Sequence, residues 1–312
     1  MSTGPAEPVE PVDTAPDVSF DHLMTAVEPG ARLERVWTGG SWGEGPVWLP
    51  GTQSVRWSEI HGNTIYEYDS RTGRTHVHRR NVEFTNGRTL DLAGRVLQCS
   101  HGRRCVEMEV DGEPTTLVDR WGEHRLNSPN DIVVASDGAI WFTDPPYGIT
   151  EPDEGHPGEM EYGGCWVFRY RPGPGVLEPA ITELRRPNGL AFSPDESLLY
   201  VSDTVDTARG LIRVYDVAGG TASNGRDFAT VLPGCSDGFR VDVTGRIWTS
   251  SLDAVQVLSP DGRLVTRIPV PEKVSNLCFG GPDGTDLYVT ASTSLYRIRT
   301  LTTDATWGRT QR

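Results

Sequence analysis

Six polar side chains recur at one phase of an internal repeat: Glu44, Asn86, Asn130, Asn188, Asp237 and Asn276. All six carry oxygen and none is Cys or His. Such a set suits hard divalent cations, Ca2+ first, then Mn2+ or Mg2+, and Zn2+ or Fe2+ would need water to complete the shell. Two carboxylates, Glu44 and Asp237, are enough to neutralise one such ion. Asn or Asp before Gly also makes ordinary turns, as Asn86-Gly87, Asn188-Gly189 and Asp237-Gly238 could. Turn preference explains neither Glu44 nor the fact that four of the chain's eight asparagines share this phase.

The elements that must carry these residues are short strand-like runs: Ser54-Val55-Arg56-Trp57-Ser58, Arg95 to Cys99, Ala139 to Thr143, Leu198 to Ser202, Arg246 to Ser250 and Asp286 to Thr290. With Arg56, Leu97, Trp141, Tyr200, Trp248 and Tyr288 taken as equivalent, the intervals are 41, 44, 59, 48 and 40 residues. The polar residue precedes its equivalent position by 12, 11, 11, 12, 11 and 12 residues. A period near forty, with strands and Gly turns in each unit, predicts an all-β, six-bladed β-propeller with four strands per blade. The first strand of each blade lines the central channel, so the six side chains would converge on its axis as a metal site.

Gly and Pro interrupt nearly every window of helical length, which argues against long helices. The one long interval contains Pro145 to Gly164, with four prolines and five acidic residues, read as a loop insertion (145–164) over the channel face. Residues 1–18 carry Pro5, Pro8, Pro11 and Pro16, four acidic residues and no basic one, the composition of a disordered tail. The propeller is then assigned to 19–312, with a segment near Arg32 to Thr38 expected to close the last blade against an open seam. Five scattered cysteines and no signal-like or membrane-spanning run point to a reducing, cytoplasmic setting. A net charge of -14 disfavours nucleic acid and anionic membranes as partners. Of 29 basic residues only Lys273 is lysine, and its Pro-flanked position reads as a solvated charge.

Four motifs in order carry a resemblance: Glu44-Gly45-Pro46-Val47-Trp48, Asn127-Ser128-Pro129-Asn130-Asp131, Arg186-Pro187-Asn188-Gly189-Leu190, and Asp237-Gly238-Phe239-Arg240. Together they resemble the gluconolactonase (SMP-30/gluconolactonase/LRE-like, regucalcin-type) family, over residues from about 33 to 300, and Phe142 to Gly148 resembles its bacterial branch. The resemblance implies a six-bladed propeller with one divalent cation in the axial channel, held by Glu44, Asn130, Asn188 and Asp237. It implies hydrolysis of sugar lactones, such as glucono-1,5-lactone, to aldonic acids. The cation would act as a Lewis acid on the carbonyl, with Asp237 as base or positioner of the attacking water. Asn86 and Asn276 match by phase alone and are assigned to the substrate or outer shell. His101 and Tyr147 are substrate-binding candidates near the channel mouth. Animal members of the family carry Arg two residues before the Pro-Asn-Asp asparagine, where this chain has Ser128, which leaves the sugar preference open.

Competing signals are weaker. Gly234-Cys235-Ser236-Asp237-Gly238 matches G-x-S-x-G in form, but a nucleophile elbow needs a strand followed by a helix. His76 and His78 share one strand face beside Arg79 and Arg80 and read as a solvated face. The alternatives to a lactonase are a phosphotriesterase of the diisopropylfluorophosphatase type or a non-enzymatic propeller that binds calcium or protein. A metal-free condensing enzyme of the strictosidine-synthase kind is more distant.

Overall fold

In the computed structural model, residues 26–205 and 210–309 are described. The tail assigned to 1–18 lies outside them, as do residues 19–25. Among the described residues the strands form six four-stranded antiparallel sheets and one two-stranded hairpin, Arg120–Trp121 with His124–Arg125. The first five blades run from an innermost strand outward in sequence order, and so do the first three strands of the sixth. The innermost strands are Gly43–Leu49, Thr85–Leu90, Ile132–Val134, Pro187–Phe192, Phe239–Val241 and Val274–Gly280. They neighbour one another in that order, and the sixth returns to the first, so the ring of blades is closed. Glu34–Thr38 supplies the outermost strand of the sixth blade, antiparallel to Ser294–Arg299, and brings the two ends of the propeller into one sheet.

The cohesion lies between blades. Six apolar clusters each bridge two neighbours: Trp141 and Val167 meet Leu190 and Leu199, and Trp248 and Val255 meet Leu277 and Leu287. Burying one such aliphatic side chain contributes about 1.5–3 kcal/mol. The equivalent positions Trp141, Tyr200, Trp248 and Tyr288 are buried aromatics in these seams. The first blade differs, because Arg56 stands there. Its guanidinium pairs with Glu67 at 2.9 Å and with Glu109 of the second blade at 2.8 Å. The seam between the first two blades is therefore largely polar, with a small apolar cluster of Val47, Leu49, Leu90 and Val96 beside it. His78 joins this network, its Nδ1 3.5 Å from Glu67, so only His76 of the pair stands on a solvated face. Burial, and then the charge of Arg56, lower the His78 pKa to about 4.

At the other end of the channel, the segment after the last blade crosses the ends of the inner strands. Asp304 bridges Asp242, and Ala305 N donates to Val241 O at 2.8 Å. Between Asp144 and Trp166 the chain makes one helical turn, Tyr147–Thr150 (α1), before returning over His101. Among the described residues no helix is long and apolar enough to cross a membrane.

Candidate metal centre

The inner strands do not run straight through the ring position. In the first blade Glu44 pairs with Ser58 and Val47 with Arg56, so three steps oppose two. The same extra residue occurs between Thr85 and Arg88, between Pro187 and Leu190, and between Val274 and Asn276. A bulge of this kind bends a strand and re-aims a side chain. Here it lies at or beside Glu44, Asn86, Asn188 and Asn276. In the third and fifth blades the strand begins just after the ring residue. There Asn130 N donates to Thr143 O at 2.8 Å and Asp237 N to Ser250 Oγ at 2.8 Å.

The glycines after the ring residues serve packing between blades. A Cβ on Gly189 would lie 2.2 Å from Asp237 O, and one on Gly45, whose φ is +53°, equally close to Asn86 O. Gly87 N donates to Asn130 O at 2.8 Å and Gly189 N to Asp237 O at 3.0 Å. Asn130 and Asp237 are thus tied to the backbone of the preceding blade, which a side chain at the glycine would push away.

All six ring residues enclose the axis, five of them buried and Asp237 partly open to solvent. Burial, then the charge of Asp237, hold the Glu44 carboxyl well above the usual carboxylate range. Burial likewise pushes Asp237 up to about 7, while Lys273 pulls it down. The amides sort into two kinds. Asn276 is engaged at both ends, its Nδ2 donating to Glu44 Oε2 at 3.1 Å and its Oδ1 accepting from Leu277 N at 2.8 Å. Asn86 and Asn130 direct their Nδ2 atoms to His101 Nε2 at 3.2 and 3.4 Å. The opposite nitrogen of His101 lies 3.1 Å from Glu154 O, which fits a neutral ring donating from Nδ1 and accepting at Nε2. Burial lowers the His101 pKa to about 4, in keeping with that neutral form. The amide oxygens of Asn86 and Asn130 are left for the axis.

His101 is fully buried beneath the segment after α1, with Gly148 packed on its ring. Tyr147 is half-buried at the mouth, where its hydroxyl bonds Thr204 and interacts with Asn188, and Arg186 lies 4.7 Å over its ring. Lys273 is exposed, yet it is not simply solvated. Its ammonium sits 4.7 Å over the Trp42 ring and its charge acts on Asp237 and Glu154. Sequence reading missed this because Trp42 and Lys273 belong to opposite ends of the chain. The signal available was that each closely precedes a ring residue, Glu44 and Asn276. Ser236 does not form a nucleophile elbow: its buried Oγ bonds Thr249 Oγ1 at 2.7 Å, and a strand follows it.

The donor set fits a hard divalent cation. Among the described residues no cluster of three or more His, Cys, Asp or Glu could hold a metal, so a soft or imidazole-rich site is not offered. Two carboxylates instead converge with amide oxygens around one buried axis, a concentration of negative charge that a cation would relieve.

Fold and channel define a six-bladed propeller with an oxygen-lined axial site. Residues 42–293 match the SMP-30/Gluconolactonase/LRE-like region, and the chain belongs to that family. It is 33% identical over 307 residues to the gluconolactonase of Zymomonas mobilis, covering 90% of this chain and 84% of that protein. It is 30% identical over 261 residues to a pentonolactonase of Haloferax volcanii, covering 80% and 81%. Among solved structures, a gluconolactonase of Xanthomonas campestris superimposes with a TM-score of 0.89 at 37% identity, covering 95% of this chain and 99% of that one.

Proposed function

We propose that this protein is a lactonase that opens sugar lactones to aldonic acids, with one divalent cation, Ca2+ foremost, held by Glu44, Asn130, Asn188 and Asp237. The observation that carries the reading is the convergence of two carboxylates, both pushed up by burial, with amide oxygens in the channel. The lactonase names of the relatives support the substrate class. When bound, the cation supplies Lewis acidity to the lactone carbonyl.

Asp237 is the one ring carboxylate open to solvent, and burial brings its pKa near neutrality, where a general base works best. It takes a proton from the attacking water as the water oxygen bonds to the carbonyl carbon. The ring C–O bond then breaks, and the proton passes to the departing ring oxygen, which becomes a hydroxyl. Glu44, fully enclosed, contributes charge and is held by Asn276. Asn86, from within the channel, and Tyr147, at its mouth, meet the sugar hydroxyls, while His101 orients the amides of Asn86 and Asn130 from behind. Protein stripped with chelator and reloaded with Ca2+, Mn2+, Mg2+, Zn2+ or Fe2+ should open gluconolactone and xylonolactone only in the metal-loaded forms. An organophosphate assayed alongside should be a poor substrate. Lactone opening indifferent to chelation would end the metal reading, and faster organophosphate cleavage would end the lactonase reading.

A further inference from the structure

Three carboxylates outside the ring repeat one contact. Glu59, Asp144 and Asp203 each lie three residues after the equivalent positions Arg56, Trp141 and Tyr200, at the end of the second strand. Each accepts the backbone N–H groups of the two residues that stand three and two places before a ring residue. Glu59 Oε1 accepts from Ser41 N at 3.0 Å and Trp42 N at 2.9 Å, ahead of Glu44. Asp144 accepts from Asn127 N and Ser128 N, both at 2.7 Å, ahead of Asn130. Asp203 accepts from Arg185 N at 3.1 Å and Arg186 N at 2.9 Å, ahead of Asn188. All three carboxylates are buried.

The other three blades lack the device. Ser100, Ser251 and Ala291 occupy the equivalent places. In the fifth blade the amide of Asp237 is held directly by Ser250 Oγ. In the second and sixth blades the ring residues are Asn86 and Asn276, neither of which is assigned to the cation. The buried carboxylates therefore occur in the three blades whose ring side chains are Glu44, Asn130 and Asn188.

We propose that Glu59, Asp144 and Asp203 are positioning residues that fix the backbone leading into Glu44, Asn130 and Asn188 and thereby set those three ligands at one common distance from the axis. This rests on the cation reading above. A charged acceptor shared by two N–H groups is a strong and directional restraint, and a metal site tolerates displacements of only about 0.5 Å. A neutral amide of the same shape offers one acceptor oxygen. At Asp144 and Asp203, where the two N–H groups bond different oxygens, it turns an NH2 group toward one of them. At Glu59, where both bond Oε1, it removes the charge and turns the NH2 group toward Gly62 N, which bonds Oε2 at 2.8 Å.

The test compares Asp144→Asn, Asp203→Asn and Glu59→Gln with Glu272→Gln. Glu272 is a similarly bonded acid that accepts from Thr293 N and Tyr296 OH in the sixth blade, where no ligand is assigned. For each protein the Mn2+ dissociation constant is measured by calorimetry on metal-stripped material, and the Tm is measured in chelator. The clamp variants should weaken Mn2+ binding about tenfold or more, the scale for groups that support metal ligands. Glu272→Gln should lower Tm comparably while changing the dissociation constant less than about twofold, the scatter between independent sites. Tight wild-type binding with unchanged clamp variants would overturn this proposal alone, as would affinity losses that simply track Tm across all four. Wild-type protein that binds no cation would overturn the metal reading and this proposal together.

Discussion

Asp237→Asn separates what the ring costs from what it does. In the metal-free protein Asp237 faces Glu44 and Asp131 in a largely enclosed channel, and burial pushes its pKa from 3.8 to about 7. A folded-state pKa above the unfolded value means that the folded protein binds more protons between those limits. That contribution to stability is complete below about pH 3.8 and is lost as pH rises through about 7. Three pH units correspond to about 4 kcal/mol as a ceiling. Because Asp237 remains partly open to solvent, screening reduces this to about 1–2 kcal/mol. In chelator at pH 8, Asp237→Asn should therefore melt higher than the wild type by roughly 2–8 °C, and the gain should vanish at pH 4. With saturating Mn2+ the same variant should lose about 10²–10⁴ in turnover of gluconolactone, the range for removing a general base. Thermal unfolding followed by circular dichroism and a pH-stat lactone assay measure the two arms. A variant less stable than wild type at pH 8 in chelator would refute the electrostatic argument, and one retaining more than a tenth of the turnover would refute the assignment of the base.

Lys273→Met should shift the acidic limb of the kcat/KM profile to higher pH, because the lysine lowers the Asp237 pKa, and Lys273→Arg should restore it; an unmoved limb would show that the cation over Trp42 does not reach the site. His78, neutral in the folded protein with a pKa of about 4, stabilises fully above pH 6.5, and that stability is lost progressively as pH falls toward 4. Replacing it with Gln should flatten the decline of Tm between pH 7 and pH 4.5, and an equally steep decline would count against the burial of His78. Gly189→Ala places a Cβ 2.2 Å from Asp237 O and should cost about 1–3 kcal/mol by overpacking, with Mn2+ affinity falling as well; a neutral Tm would mean that the inner strands can separate without penalty.

The sequence by itself determined the repeat, because a blade is a local unit: strand alternation, turn and return all lie within some forty residues. Hence the period, the six strands beginning near Ser54 to Asp286, and the constant offset to Glu44, Asn86, Asn130, Asn188, Asp237 and Asn276 are legible in the order of residues alone. The offset stays at 11 or 12 residues because each ring residue stands near or just before the start of its inner strand, in four of the blades at or beside a bulge set by the local register. Beyond the division that the four motifs imply, the contacts that distinguish one ring member from another were left to the tertiary structure. Asn276 is taken up by Glu44, 232 residues away in the chain, and His101 turns two amides at once from neighbouring blades. Lys273 becomes part of the mouth only when ring closure sets it over Trp42. The physical reason is that strand formation depends on neighbours in sequence, whereas charge, burial and donor orientation in the channel depend on neighbours around the axis. Ring closure brings those together without a local pattern to announce them.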